Sequence, residues 1–240
     1  EALSRANQGY TPPVLENPVR IFLDSYQAVL STGKPGSTIH YTTDGSKPDE
    51  NAMIYDGPLT LSETTHLKTL ATWEQNIESR MVEYFIEKVN PQPASTEYGL
   101  KPGLRVDVYR GAWESLPPFD SLKVSETIIV PQVDLLVAPD NEDFGLVYSG
   151  TIKLPADAIY TFALGSDDGS RLFINGKRLI DNDGIHGNRV VEGSLALEKG
   201  HHHIRLEYFQ HLGGQGLRLE IFMMGKEIER LDPQFTHAEQ

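Results

Sequence analysis

The sequence predicts an all-β protein made of two β-sandwich domains joined by a short Pro-rich linker. Three observations carry that expectation. Short runs such as "STIHYTTD" and "GLRVDVYRG" alternate apolar and polar residues with period two, whereas helical periodicity is hard to find. Asp44-Gly45, Asn175-Gly176 and Asp183-Gly184 are strong turn dipeptides that separate such runs. Finally, "VNPQPASTEYGLKPG", residues 89–103, breaks the pattern with prolines, glycines and small polar residues, as a linker does. The chain of 240 residues then divides into a lead-in (1–13), a first domain (14–90), a linker (91–102), a second domain (103–232) and a tail (233–240). Either domain is large enough to bury a core.

Bulk properties remove several function classes. A net charge of −13, with no long Lys/Arg cluster, argues against nucleic acid and anionic membrane surfaces as partners and suits neutral ligands such as sugars. The absence of cysteine excludes disulfides, thiolate-bound zinc and cysteine nucleophiles. No apolar run reaches the roughly 18 residues of a membrane span. The opening "EALSRANQGYTPP" has no initiator methionine, basic start or apolar stretch, and reads as the interior of a longer polypeptide.

In the first domain the expected strands are "VRIFLDSY", "STIHYTTD", "LTLS", "HLKTLATWEQ" and "RMVEYFIEKV". Between two of them, Asp44-Gly45-Ser46-Lys47-Pro48 turns the chain: Asp accepts local backbone bonds, Gly allows positive φ and Pro stops further pairing. Asp44 and Ser46 therefore read as turn formers, and Trp73 as a core or interface residue. Tyr41, Asp44-Gly45-Ser46 and Pro48, followed by "IYDGPLTLS", resemble the chitobiase or β-hexosaminidase carboxy-terminal domain over roughly residues 14–88. That fibronectin-like sandwich is appended to secreted glycosidases, so the resemblance implies an accessory module and an exported protein, periplasmic, cell-surface or extracellular.

In the second domain the expected strands are "GLRVDVYRG", "GLVYSGTIKL", "AIYTFALGS", "SRLFING", "KRLIDND", "HHIRLEYFQ" and "LRLEIFMMG", with a type I′ hairpin at Asn175-Gly176. Asp167 and Asp168 fall at a strand end, where loops meet and ligands bind. Two adjacent carboxylates repel unless something positive or donor-rich sits between them. Ca²⁺, backbone N–H groups with Arg or Lys, and water all fit that requirement. Calcium needs six to eight oxygens, for which Asp181, Asn182, Asp183 and the loop "QHLGGQG" (210–216) are the candidates. The spacing is not that of an EF-hand.

Asp181 and Asp183 read mainly as turn formers after the hairpin, and His186 reaches toward the same rim. The consecutive His201, His202 and His203 lie on a strand, so neighbouring rings point to opposite faces and share one ion poorly. Tyr109, Trp113 and Phe119 fit edge packing. No nucleophile has an elbow setting, and adjacent aspartates cannot straddle a sugar ring as a glycosidase pair does. No catalytic residue is assigned.

"GLRVDVYRGAWESLPPFDSLK", "YSGTIKLPADAIYTFALGSDDGSRLFINGKRLIDNDGIHG" and "LEKGHHHIRLEYFQHLGGQGLRLEIF", in that order, resemble the protective-antigen-type β-sandwich over about residues 95–232. This family is shared by toxin protective antigens, yeast flocculation adhesins and bacterial glycosidases. In its adhesin branch an aspartate pair, matched here by Asp167 and Asp168, forms a cis peptide and coordinates calcium that holds sugar hydroxyls. The tight Gly169-Ser170 turn is that of the enzyme-attached branch. His202 matches a position where the family often has histidine, which implies a packed, hydrogen-bonded role.

The expectation is a non-catalytic accessory region of an exported glycoside hydrolase, of the β-N-acetylhexosaminidase kind or similar. Its partners are carbohydrate and a catalytic domain of the same polypeptide. The carbohydrate-binding candidates are Asp167, Asp168, Asp183 and His186, and Asp167 with Asp168 is the candidate calcium site. The alternative is a structural spacer or oligomerisation module that binds no ligand.

Overall fold

The computed structural model describes residues 10–49, 51–74, 77–139, 143–225 and 227–238, and the first part of the expected lead-in lies outside them. It is built almost wholly of strands and divides into two compact units, residues 1–90 and 91–240.

The first unit contains β1 (Val14–Leu15), β2 (Ile21–Phe22), β3 (Tyr26–Ala28), β4 (Leu30–Ser31), β5 (Thr38–Thr42), β6 (Met53–Ile54), β7 (Leu59–Leu61), β8 (Thr65–Trp73), β9 (Ile77–Glu78) and β10 (Val82–Lys88). Its main sheet runs β2-β10-β8-β5-β6, with β9 paired to β8, and the pairs β1/β4 and β3/β7 form two smaller sheets. Alternation in β8 and β10 turns Leu67 and Ile86 inward, where both are fully buried with Leu15, Phe22, Tyr26, Ala28 and Leu30. Burying an aliphatic side chain of that size contributes about 1.5–3 kcal/mol. Burial, then the neighbouring Tyr84, pushes the Tyr26 phenol up to about 12. At the β5–β6 turn, Asp44 Oδ1 accepts from Ser46 N at 2.9 Å and Ser46 Oγ at 2.6 Å, and Gly45 adopts φ +80°. The turn-former reading of Asp44 and Ser46 is thereby accounted for locally. Trp73 is partly buried and meets Tyr10 edge-on at 5.0 Å between ring centroids.

The second unit contains β11 (Lys101–Pro102), β12 (Leu104–Arg110), β13 (Glu126–Val130), β14 (Phe144–Leu154), β15 (Ala158–Asp167), β16 (Ser170–Ile174), β17 (Lys177–Asn182), β18 (Arg189–Leu197), β19 (Gly200–Gln210), β20 (Gly216–Met224), β21 (Ile228–Arg230) and β22 (Gln234–His237). An eight-stranded sheet follows β11-β22-β14-β19-β16-β17, with β12 on β14 and β13 on β12; the second sheet is β18-β15-β20-β21. Tyr148, Leu206 and Tyr208 from the first and Tyr160, Phe162 and Ile221 from the second are buried in one core between them. Asn175 and Gly176 both take positive φ, +49° and +75°, as the type I′ hairpin requires.

Two segments differ from expectation. Residues 91–102, expected as a linker, are stitched to the second unit: Gln92 N donates to Ala196 O, Ser95 N to His201 O, and β11 pairs with β22. The expected tail contains β22, which joins the sheet beside β14 and buries Phe235. A four-residue strand with one inward apolar side chain carries too little periodicity to be read from sequence.

Candidate functional site

The Asp167-Asp168 pair sits where the chain leaves one sheet for the other. Asp167 closes β15 in the four-stranded sheet, and Ser170 opens β16 in the eight-stranded one. The β17–β18 and β19–β20 connections also pass between the sheets. One carboxylate joins all three crossings at this end. Asp168, 2% exposed, accepts at Oδ1 from His186 N at 3.1 Å and at Oδ2 from His211 N at 3.0 Å. The peptide bond between Asp167 and Asp168 is cis.

Beneath the pair lies a buried polar network. Ser166 Oγ and Ser170 Oγ are 2.7 Å apart, Asn182 Nδ2 donates to Ser166 Oγ at 2.9 Å, and Arg189 Nε donates to Asn182 Oδ1 at 2.5 Å. All three network residues Ser166, Ser170 and Asn182 are buried, so each hydroxyl or amide left unpaired would cost about 1–3 kcal/mol. The Tyr208 hydroxyl lies 2.5 Å from Asp167 O and 2.7 Å from Gln210 Oε1, and Gln210 Nε2 donates to Gly214 O at 2.7 Å. Burial, and then the charges of Asp168 and Asp167, hold the Tyr208 phenol above its ordinary value, so it remains a proton donor. Gly169 must be glycine: a Cβ there would stand 2.4 Å from the Phe209 ring and 2.9 Å from Gly184 N.

The four predicted site residues fare differently. Asp168 and His186 are brought together, but through the histidine's backbone amide. The His186 ring stays within its own loop, Nδ1 2.9 Å from Gly187 O and Nε2 2.9 Å from Asn182 O. Asp183 turns away to serve protein donors: Oδ1 accepts from Leu116 N and Gly184 N, both at 2.7 Å, and Oδ2 accepts from Arg171 Nη2 at 2.6 Å. Asp167 is half-buried, and among the described residues no hydrogen bond reaches its carboxylate. A Cβ placed on Gly214 would stand 3.3 Å from Asp167 Oδ2, so that glycine leaves room beside the acid.

Asp143 escaped the sequence reading, and His211 entered it only as part of the loop 210–216. His211 Nδ1 lies 2.7 Å from Asp143 Oδ1, Asp143 adopts φ +67°, and its carbonyl accepts from Gly111 N. Only the non-glycine left-handed backbone marks Asp143, and no pattern in sequence foretells that. The loop 210–216, named from sequence as an oxygen source, does border the pair. The histidine run behaves as expected: His202 is fully buried, with Nε2 2.8 Å from Glu198 O and Nδ1 3.0 Å from Asn175 Nδ2. Burial lowers its pKa below the ordinary value. Tyr109, Phe119 and Trp113 pack together with Leu116, Val147 and Phe209 at the sandwich edge.

No lysine or arginine among the described residues pairs with Asp167 or Asp168; nearby Arg171 is committed to Asp181 and Asp183. Carboxylate oxygens are the ligands that a hard, oxygen-seeking cation takes, and those of Asp168 already accept from two amides. Among the described residues there is no cluster of three His, Asp or Glu with metal-site geometry. A calcium ion at the pair would therefore need carbonyl, water or ligand oxygens for the rest of its shell.

The sequence profile of the PA14 domain matches residues 101–233, more than half of the chain and all of the strands around this rim. The chain belongs to the PA14 domain family. Ahead of its PA14 domain, residues 29–84 match the Fn3-associated family. Among solved structures, the chain is similar to a PA14 sugar-binding domain from an RTX adhesin, at 20% identity and TM-score 0.48, covering 57% of this chain and 99% of that one. It is also similar to the epithelial adhesin 9 A domain of Candida glabrata in complex with Galβ1-4GlcNAc, at 13% identity and TM-score 0.46 over 63% and 97% of the two chains. A β-glucosidase from Kluyveromyces marxianus in complex with glucose matches at 19% identity and TM-score 0.42, over 52% of this chain and 16% of the enzyme. No curated protein matches the sequence.

Proposed function

We propose that this chain is a non-catalytic carbohydrate-binding region in which the Asp167 rim of the PA14 domain holds a glycan through its hydroxyls. The observation that carries the reading is the division of labour within the pair. Asp168 spends its carboxylate on two backbone amides, while Asp167 offers acceptors that no described residue uses, beside the glycine-lined 213–216 loop. Acceptor-only oxygens at the rim of a rigid scaffold suit sugar hydroxyls. Asp167 and Asp168 would also hold calcium, which supplies a Lewis-acidic point for ligand hydroxyls; that no Lys or Arg among the described residues pairs with them favours this. Asp183 and His186 act by shaping the loop, Asp183 through Leu116 and Arg171 and His186 through its amide.

The wider role we infer is that of an accessory region of an exported glycoside hydrolase, with the first unit as a chitobiase-type module and a catalytic domain on the same polypeptide. Membership of the PA14 family, with an Fn3-associated match ahead of it, supports it. Affinity electrophoresis in gels containing neutral glycans, run with calcium and then with chelator, tests the binding reading. Retention that falls when the chelator is added is expected, the lost part being that of the rim. Absence of retention on every glycan with calcium present overturns it in favour of a spacer.

A further inference from the structure

A second feature lies on the outer face of the eight-stranded sheet, well away from the rim. Side chains of β14 that point outward there are short, Ser149 and Thr151. Their direct partners on β19 are long, Arg205 opposite Ser149 and His203 opposite Thr151, and on the other side Arg105 faces Ser149. Short side chains between long ones leave a trough along the strand, because side chains on one face of a sheet stand side by side. Its volume is about 530 Å³, within the range that holds small ligands. From Arg205 to His211 is six residues of extended chain, roughly 20 Å, so the trough and the rim are separate places.

The walls are fixed by contacts with neighbouring segments of the unit. Ser95 N donates to His201 O, which brings Glu97 over the sheet, where its Oε1 lies 3.4 Å from His203 Nε2. Asn175, at the hairpin tip, accepts from His203 N at 3.1 Å. Arg205 reaches Asp120 at 2.9 Å and Glu207 at 2.8 Å. The walls thus carry three carboxylates, Glu97, Asp120 and Glu207, around the one guanidinium of Arg205, an excess of negative charge that opposes an anionic ligand. Among the described residues, no hydrogen bond is made by the hydroxyl of Ser149, the second oxygen of Glu97 or the remaining nitrogen of Arg205. That mixture of donors and acceptors matches hydroxyl groups, each of which is both.

We propose that this trough is a second saccharide subsite, which takes a neutral sugar chain independently of Asp167 and of calcium. Saturation-transfer NMR with chitohexaose and cellohexaose as neutral probes, and hexagalacturonate as an anionic one, tests it on the full chain in chelator. Transfer to a neutral probe is expected in the wild type and in Asp167→Asn alike. It should fall at least ~5-fold in Ser149→Phe, which fills the trough, the loss expected when about one hydrogen bond's worth of binding goes. His203→Ala, which removes a wall without adding bulk, should weaken transfer in the same direction and serves if Ser149→Phe melts early. Transfer lost in Asp167→Asn, unchanged in both trough variants, confined to hexagalacturonate, or absent from the wild type overturns the subsite. The rim is read separately, by calcium-dependent retention.

Discussion

The turn at Asp44-Gly45 in the first unit and the turn at Asp168-Gly169 in the second use the same residue types to opposite ends. Asp44 is satisfied by Ser46, two residues away, and its carboxyl is held below the ordinary range by that hydroxyl and amide. Asp168 is satisfied by amides 18 and 43 residues away, on two other crossings between the sheets. The first aspartate shapes one turn; the second fastens the end of a sandwich and leaves its neighbour Asp167 for other use. The reach of a carboxylate's donors, more than the motif around it, separates a turn former from part of a site.

Breaking that fastening should have the largest effect. Asp168→Ala removes a buried acceptor and strands two amides, a loss of about 3 kcal/mol, or roughly 10 °C in melting temperature for a unit of this size. Thermal unfolding followed by circular dichroism reads it, and a shift under about 2 °C would reduce Asp168 to the level of Asp44. Asp183→Ala comes next, at about 2 kcal/mol, because it releases Leu116 N and Gly184 N and breaks the Arg171 pair while keeping the Asp168 clamp. If the 111–118 loop gains no proteolytic sensitivity in that variant, the tie to Leu116 is not what holds it.

A smaller effect is set by pH. His202 is buried and its folded pKa is lowered, so the unfolded chain takes up its proton first as pH falls. The stability this neutral ring contributes is full above about 6.5, declines as pH drops from there toward the lower folded value, and then stays constant. His202→Gln should flatten that part of the melting-temperature profile; an unaltered slope would assign it to another group. Smallest of all, Asp44→Ala should lower the first unit's melting temperature by less than about 2 °C, since its bonds are exposed and local. A larger drop would erase the contrast between the two turns.

Where local chemistry decides the structure, the sequence was readable. Alternation located β5, β8, β12, β14 and β19, and Asn175-Gly176 stated its hairpin through the positive φ that both residues need. The strand setting of "HHHIRLEYFQ" separated His202 from its neighbours, and the buried ring with both nitrogens occupied follows from it. The rim was legible only as a place. That Asp183 would bond Leu116, 67 residues away, or that Asp168 would bond His211, depends on which connections cross between the sheets, and period-two patterns carry no record of that. The same reason hid the contact of His211 with Asp143, and let β22 pass for a tail.

The separation of roles within the aspartate pair is tested most directly by retention of Asp167→Asn in a neutral-glycan gel with calcium, compared with wild type at matched fold. The variant should melt within about 1 °C of wild type, because no described residue bonds that carboxylate, while calcium-dependent retention drops at least 10-fold, about 1.4 kcal/mol. Undiminished calcium-dependent retention, or a melting temperature that falls as far as that of Asp168→Ala, would contradict it.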